Sequence, residues 1–136
     1  MADGPVNNLS GDVLLSAYRS STCGCCKGWL EHLKAAGFRV ADNVVEDLVA
    51  IKRTHRVPVD LSSCHTATVA GYVIEGHVPA SAIRSLLRQR PAVAGLAVPG
   101  MPLGSPGMES ALRGEAYTVF SFTGDGDVRS FQQFGA

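Results

Sequence analysis

Three observations predict a mixed α/β fold. A short apolar run leads directly into a Cys-x-x-Cys, Cys23 to Cys26. A stretch with helical apolar spacing begins at those cysteines. The rest of the chain then reads as strand, helix, β-hairpin, helix and a second hairpin. The order βαβα-ββα is that of a thioredoxin-like core, and a Cys-x-x-Cys between a strand and a helix is the layout of a thioredoxin-like redox site. The second hairpin is a C-terminal addition to that core.

Each element has its own warrant. Residues 12–18 are apolar and bounded by Gly11 and the cysteine loop, so they read as a buried strand. Thr22 or Cys23 caps a helix over roughly 25–36, with Trp29, Leu30 and Leu33 at helical spacing and Gly37 placed as its C′ residue. Residues 38–45 alternate loosely, as a second strand does. Residues 46–53 suit a short helix, ended by Val57-Pro58 because a residue before proline avoids the helical region. Residues 64–69 and 72–77 are β-rich runs on either side of Ala70-Gly71, which predicts a hairpin. Pro79 opens a helix with Ile83, Leu86 and Leu87 on one face, and it stops before Pro91. Residues 95–107, rich in glycine and proline, read as an ordered loop or a linker. Residues 117–122 and 128–131 flank Gly124-Asp125-Gly126 as the last hairpin.

A chain of 136 residues is one domain by size, here residues 12–136. Residues 1–11 are polar and rich in Gly, Pro and Asn, and read as a disordered leader. Twelve basic and twelve acidic residues cancel, so no global field favours nucleic acid. No run approaches the ~20 apolar residues of a membrane span, which argues against membrane insertion. The N-terminus shows neither a charged region nor an apolar one of signal-peptide type. That leaves two readings: a cytoplasmic protein, or a mature chain with a new start Met.

The chemistry concentrates in Cys23-Gly24-Cys25-Cys26, which holds three of the four cysteines. A thiol at a helix N-terminus meets unpaired N–H groups and the positive end of the dipole, which favours thiolate. Cys23 is therefore the reactive candidate. Cys26 lies three residues on along the same helix face and can reach it. The two can form a disulfide or supply two ligands to one metal. Cys25 is turned about 100° from Cys26 on a regular helix, so it points elsewhere or joins a multinuclear centre. Thiolates suit Cu(I), Zn or iron–sulfur units. Lys27 and Arg19 flank the thiols, and their charges favour thiolate.

Cys64 begins the third strand, whose end lies beside the Cys-x-x-Cys loop in this topology, so Cys64 can complete a set of three or four thiolates. His65 follows it, although strict strand alternation would turn it to the opposite face. His77 ends the partner strand and can approach the same edge. His32 is expected to face solvent. Met101 and Met108 stand in the Gly/Pro-rich stretch, where helical core packing does not explain them. A thioether is a soft ligand for Cu(I), and equally a gap-filler under a loop.

Taken together, residues 18–29, Ser63-Cys64-His65-Thr66-Ala67, residues 71–80, residues 95–102 and Gly107-Met108-Glu109 resemble the CopG family of bacterial copper-resistance proteins. The resemblance spans roughly residues 13–122. It implies a thioredoxin-like fold, a periplasmic setting, a cysteine-held copper centre and redox handling of copper. By position, Cys23, Cys25, Cys26 and Cys64 would be the ligands, with His65, His77, Met101 and Met108 nearby.

Three functions compete. The first is a copper-binding protein of metal resistance, holding one or several Cu(I) ions and passing copper to an efflux system. The second is a thiol–disulfide oxidoreductase with Cys23 as nucleophile and Cys26 as resolving thiol. It needs no metal, and neither Cys25 nor Cys64. The third is a structural zinc or iron–sulfur module, but the cysteine spacing matches no standard pattern for either.

Overall fold

The computed structural model describes residues 13–100, 105–106 and 116–134, apart from the side chain of Cys25. The leader expected over residues 1–11 lies outside them, as do Met101 and Met108. The chain is mixed α/β: β1 (Leu14–Arg19), α1 (Gly24–Ala35), β2 (Arg39–Val44), α2 (Leu48–Thr54), β3 (His65–Val69), β4 (Tyr72–Gly76), α3 (Ala80–Gln89), β5 (Gly95–Val98), β6 (Tyr117–Phe122) and β7 (Val128–Phe134). One seven-stranded sheet holds the strands in the order β2-β1-β3-β4-β5-β6-β7. β1 runs parallel to β2 and antiparallel to β3, and β3 is antiparallel to β4.

Through α3 the order of elements is the one expected. β5 is the difference. It pairs parallel with β4 and antiparallel with β6, so the final hairpin joins the sheet through a strand where a loop or linker was expected. Its four residues are all buried, and Gly95 is packed so tightly on the Val73 carbonyl that a side chain has no room. Glycine usually signals a break. Here it permits close strand packing, and the surrounding Gly/Pro composition hides a strand this short.

The helix ends follow local chemistry. Cys23 is the N-cap of α1, with extended backbone and its N–H on the Ser20 carbonyl at 3.3 Å. Gly37 has φ 97°, and the helix closes with bonds from Gly37 N to Lys34 O (3.0 Å) and Phe38 N to Leu33 O (3.0 Å). That is a Schellman ending, which favours glycine at the left-handed position. In α2, the Asp47 carboxylate accepts the Ala50 N–H at 3.0 Å and caps the first turn.

The sheet has two packed faces. Trp29, Leu30 and Leu33 of α1 and Ile83 and Leu86 of α3 cover Leu15, Ala67, Val69, Ile74, Leu96 and Val98. Leu61, Val73, Ala97 and Phe122 form a smaller cluster. Period-2 alternation makes this division, since Val73 and Ile74 fall in different clusters. No helix among the described residues is long and apolar enough to cross a membrane.

Candidate metal centre

β1 delivers the chain to the loop at residues 20–23, and α1 starts there. Cys23 and Cys26 are joined in a disulfide, with Cα atoms 5.6 Å apart. Cys26 is buried and Cys23 partly exposed. Two electrons and two protons would open this bond to two thiols at the helix start.

Cys64 reaches the same place from a different part of the chain. It lies one residue before β3, in irregular backbone, so strand alternation does not separate it from His65. Its Sγ is 3.4 Å from His65 Nδ1 and 3.2 Å from His77 Nε2. His65 Nδ1 is in turn 3.1 Å from Cys26 Sγ. Among the described residues two groups could hold a metal: Cys23, Cys26 and Cys64, and Cys64, His65 and His77. In each, the ligand atoms lie within 4.8 Å of one another. Cys64 belongs to both.

The histidines are set for ligation. His65 Nε2 donates to the Gly76 carbonyl at 2.8 Å. A carbonyl only accepts, so the proton sits on Nε2 and the Nδ1 lone pair faces the sulfurs. A metal-binding histidine commonly has its other ring nitrogen bonded in this way. Burial, helped by His77 and Lys52 and opposed by the Gly76 bond, lowers the His65 pKa to about 3, so the ring is neutral at physiological pH. Trp29 holds it from the side, with ring centroids 4.2 Å apart, and donates its own N–H to the Val78 carbonyl at 2.8 Å. His77 is fully buried, stacks on His65 at 5.3 Å and has Nδ1 3.5 Å from Ser105 Oγ.

Soft sulfur donors beside two buried imidazoles fit a soft or borderline ion such as Cu(I) or Zn(II). The backbone of Cys25 lies in α1. The described ends of the Gly/Pro stretch reach the site: Ser63 Oγ donates to the Gly100 carbonyl at 2.7 Å, and buried Ser105 meets His77.

Two expectations from the sequence are corrected. Arg19 is not an uncompensated charge in the cysteine loop: Asp42 holds it in a two-point ion pair, Nε to Oδ1 at 2.8 Å and Nη2 to Oδ2 at 2.9 Å. His32 does not simply face solvent: its Nε2 accepts the Ala80 N–H at 3.0 Å and ties α1 to the start of α3.

Sequence reasoning missed one buried group altogether. Glu75 is fully buried on β4 and ion-paired with Lys52 of α2. Its Oε2 accepts the Ser63 N–H at 2.7 Å and its Oε1 the Thr66 hydroxyl at 2.6 Å. Burial pushes its carboxyl up, while Lys52, Thr66 and Ser63 oppose the shift. The signal was present: a carboxylate in an apolar strand run needs a partner.

Two solved structures share this architecture. Both are of a copper resistance protein, copG, in forms 1 and 2, with 44% sequence identity, a TM-score of 0.85 and coverage of 90% of this chain and 98% of that chain. The chain belongs to the CopG copper-resistance family. A family described as protein of unknown function, DUF411, matches residues 61–108. The DUF411 match includes Cys64, His65 and His77 but not the Cys-x-x-Cys. A comparison with curated proteins finds no match.

Proposed function

We propose that this CopG-family chain binds copper as Cu(I) and serves copper resistance by buffering the ion and changing its oxidation state before export. The observation that carries this is the meeting, from three separated segments, of two donor groups that share Cys64: Cys23, Cys26 and Cys64, and Cys64, His65 and His77. Cys23, Cys26 and Cys64 would be the primary ligands, with Cys25 bridging if more than one ion binds. Met101 and Met108 would extend the soft donor set. The dithiol can instead supply electrons: two Cu(II) ions and the thiols of Cys23 and Cys26 give two Cu(I) ions, the disulfide and two protons, and in that oxidised state Cys23 and Cys26 are no longer ligands. A periplasmic location and hand-off to an efflux system belong to the same proposal, and cell fractionation tests the first.

Anaerobic titration of the reduced protein with Cu(I) against a chromophoric chelator tests the binding. Cys64→Ser is expected to lose most of the affinity. Unchanged stoichiometry and affinity in that variant would sink the proposal.

A second reading is favoured by the Cys23–Cys26 disulfide with Cys23 partly exposed at the helix start. It is a metal-independent thiol–disulfide oxidoreductase. Disulfide reduction that persists in metal-free Cys64→Ser and vanishes in Cys26→Ser would favour it.

A further inference from the structure

Glu75 and its partners lie against the segment that carries Cys64 and His65, and nothing in the proposed copper chemistry uses them. The carboxylate sits opposite Thr66 in the β3–β4 ladder. One oxygen takes the backbone N–H of Ser63, the residue before Cys64, and the other takes the hydroxyl of Thr66, the residue after His65. Lys52 reaches in from α2, ion-paired to Oε2 and 3.0 Å from Thr66 Oγ1. One rigid side chain therefore grips the chain on both sides of the two donor residues.

That grip lies where regular structure fails. β3 begins at His65, so the ladder does not fix Cys64. Ser63 N–H would otherwise be a backbone donor with no strand partner, and the Glu75 oxygen replaces one. The cost is a buried carboxylate and a mostly buried ammonium, the lysine side chain being 13% exposed. Replacing such a pair by apolar residues is often neutral or stabilising, so stability alone does not explain why a fold contains it.

We propose that Glu75, held by Lys52, is a positioning residue for the metal centre: its carboxylate clamps Ser63 and Thr66 and so sets Cys64 Sγ and His65 Nδ1 against Cys26. This rests on the copper-binding reading of the same site. The clamp acts through the backbone, touches no ligand atom and supplies none. A glutamine at position 75 keeps the shape but has one accepting oxygen, so the ion pair with Lys52 is lost and the Thr66 hydroxyl must turn from donating to the carboxylate to accepting from the amide, which leaves Ser63 as the one anchor held as before. Outer-shell partners of metal ligands typically matter about 10–100-fold in metal affinity.

The test uses the full chain with Glu75→Gln, Lys52→Met/Glu75→Gln and Thr66→Val. Each is measured for unfolding by urea, for Cu(I) affinity after reduction by competition with a chromophoric chelator, and for the rate of Cys64 alkylation in metal-free protein by peptide mapping. Glu75→Gln is expected to bind Cu(I) about tenfold or more weakly and to alkylate at Cys64 several-fold faster. The double variant removes the uncompensated lysine and is expected to recover stability without recovering affinity. Parental affinity in folded Glu75→Gln overturns the proposal. So does a double variant in which stability and affinity return together, because the pair then acts only through folding. If Glu75→Gln does not fold, Thr66→Val, which removes a single anchor, decides in the same two directions. If the parent and Cys64→Ser bind Cu(I) equally, the copper reading has failed. The Cys64 alkylation rate then judges the clamp by itself.

Discussion

A side chain at position 76 would collide with the Val98 carbonyl and stand 2.8 Å from Ser63 Cβ, and the backbone there has φ 80°. Gly76 thus satisfies two demands at once, a left-handed conformation and a close approach of the Ser63 segment to β4. Its carbonyl also accepts the hydrogen bond from His65 Nε2–H. Alanine at this position is expected to lower stability by more than about 1 kcal/mol, since the native φ is one it adopts only with strain. It is also expected to weaken Cu(I) binding by displacing Ser63 and Cys64. Urea unfolding of the reduced apo-protein checks the first effect and chelator competition the second. Parental values in both would mean that the segment relaxes without consequence. The reactive residues themselves were visible in the sequence because cysteine is rare and was clustered. The grouping of His65 with the sulfurs came from the family resemblance and not from strand alternation, which describes regular strands while Cys64 lies outside one. Glu75 was overlooked for a related reason: its partner Lys52 is 23 residues away, and only the fold brings them together.

At the scale of elements, helices and hairpins with strong local signals were legible. Gly37 ends α1 as its left-handed conformation requires, and Ala70 and Gly71, both at positive φ, turn β3 into β4. β5 was not legible, because four residues are too few for a periodic signal. The join between β1 and β2 carries a pH signature. Asp42 lies beside Arg19, whose guanidinium holds the Asp42 carboxyl below its ordinary value of 3.8, with Lys34 and Lys27 adding to the effect and burial opposing it. Above that value the carboxylate is charged in both folded and unfolded chains and the pair contributes in full. As pH falls below 3.8 the unfolded chain takes up the proton first, and the contribution fades until the folded carboxyl is protonated too. Asp42→Asn should therefore be less stable than the parent at pH 7, and the gap should narrow at pH 3. A gap of constant size at both values would show that the ion pair carries no pH dependence.

On the scale of the whole molecule, the donors come from the start of α1, the entry to β3 and the exit from β4. An ion held by all three would cross-link segments 38 and 51 residues apart in sequence, counted from Cys26 to Cys64 and to His77. The unfolded chain keeps only the local cysteine cluster together, so Cu(I) should prefer the folded state strongly. Binding that favours the native state adds about 2.7 kcal/mol when free ligand is a hundredfold above its dissociation constant. For a domain of this size, each kcal/mol raises Tm by a few degrees. Reduced protein is therefore expected to melt several degrees higher with chelator-buffered Cu(I). Cys64→Ser should lose most of that increase, because its remaining thiols are near neighbours in the unfolded chain as well. Protein with the Cys23–Cys26 disulfide intact should also gain little. An equal rise in the parent and in Cys64→Ser would place the copper on the Cys23–Cys26 loop alone, and the centre would then be local to the start of α1 and independent of the sheet that delivers Cys64.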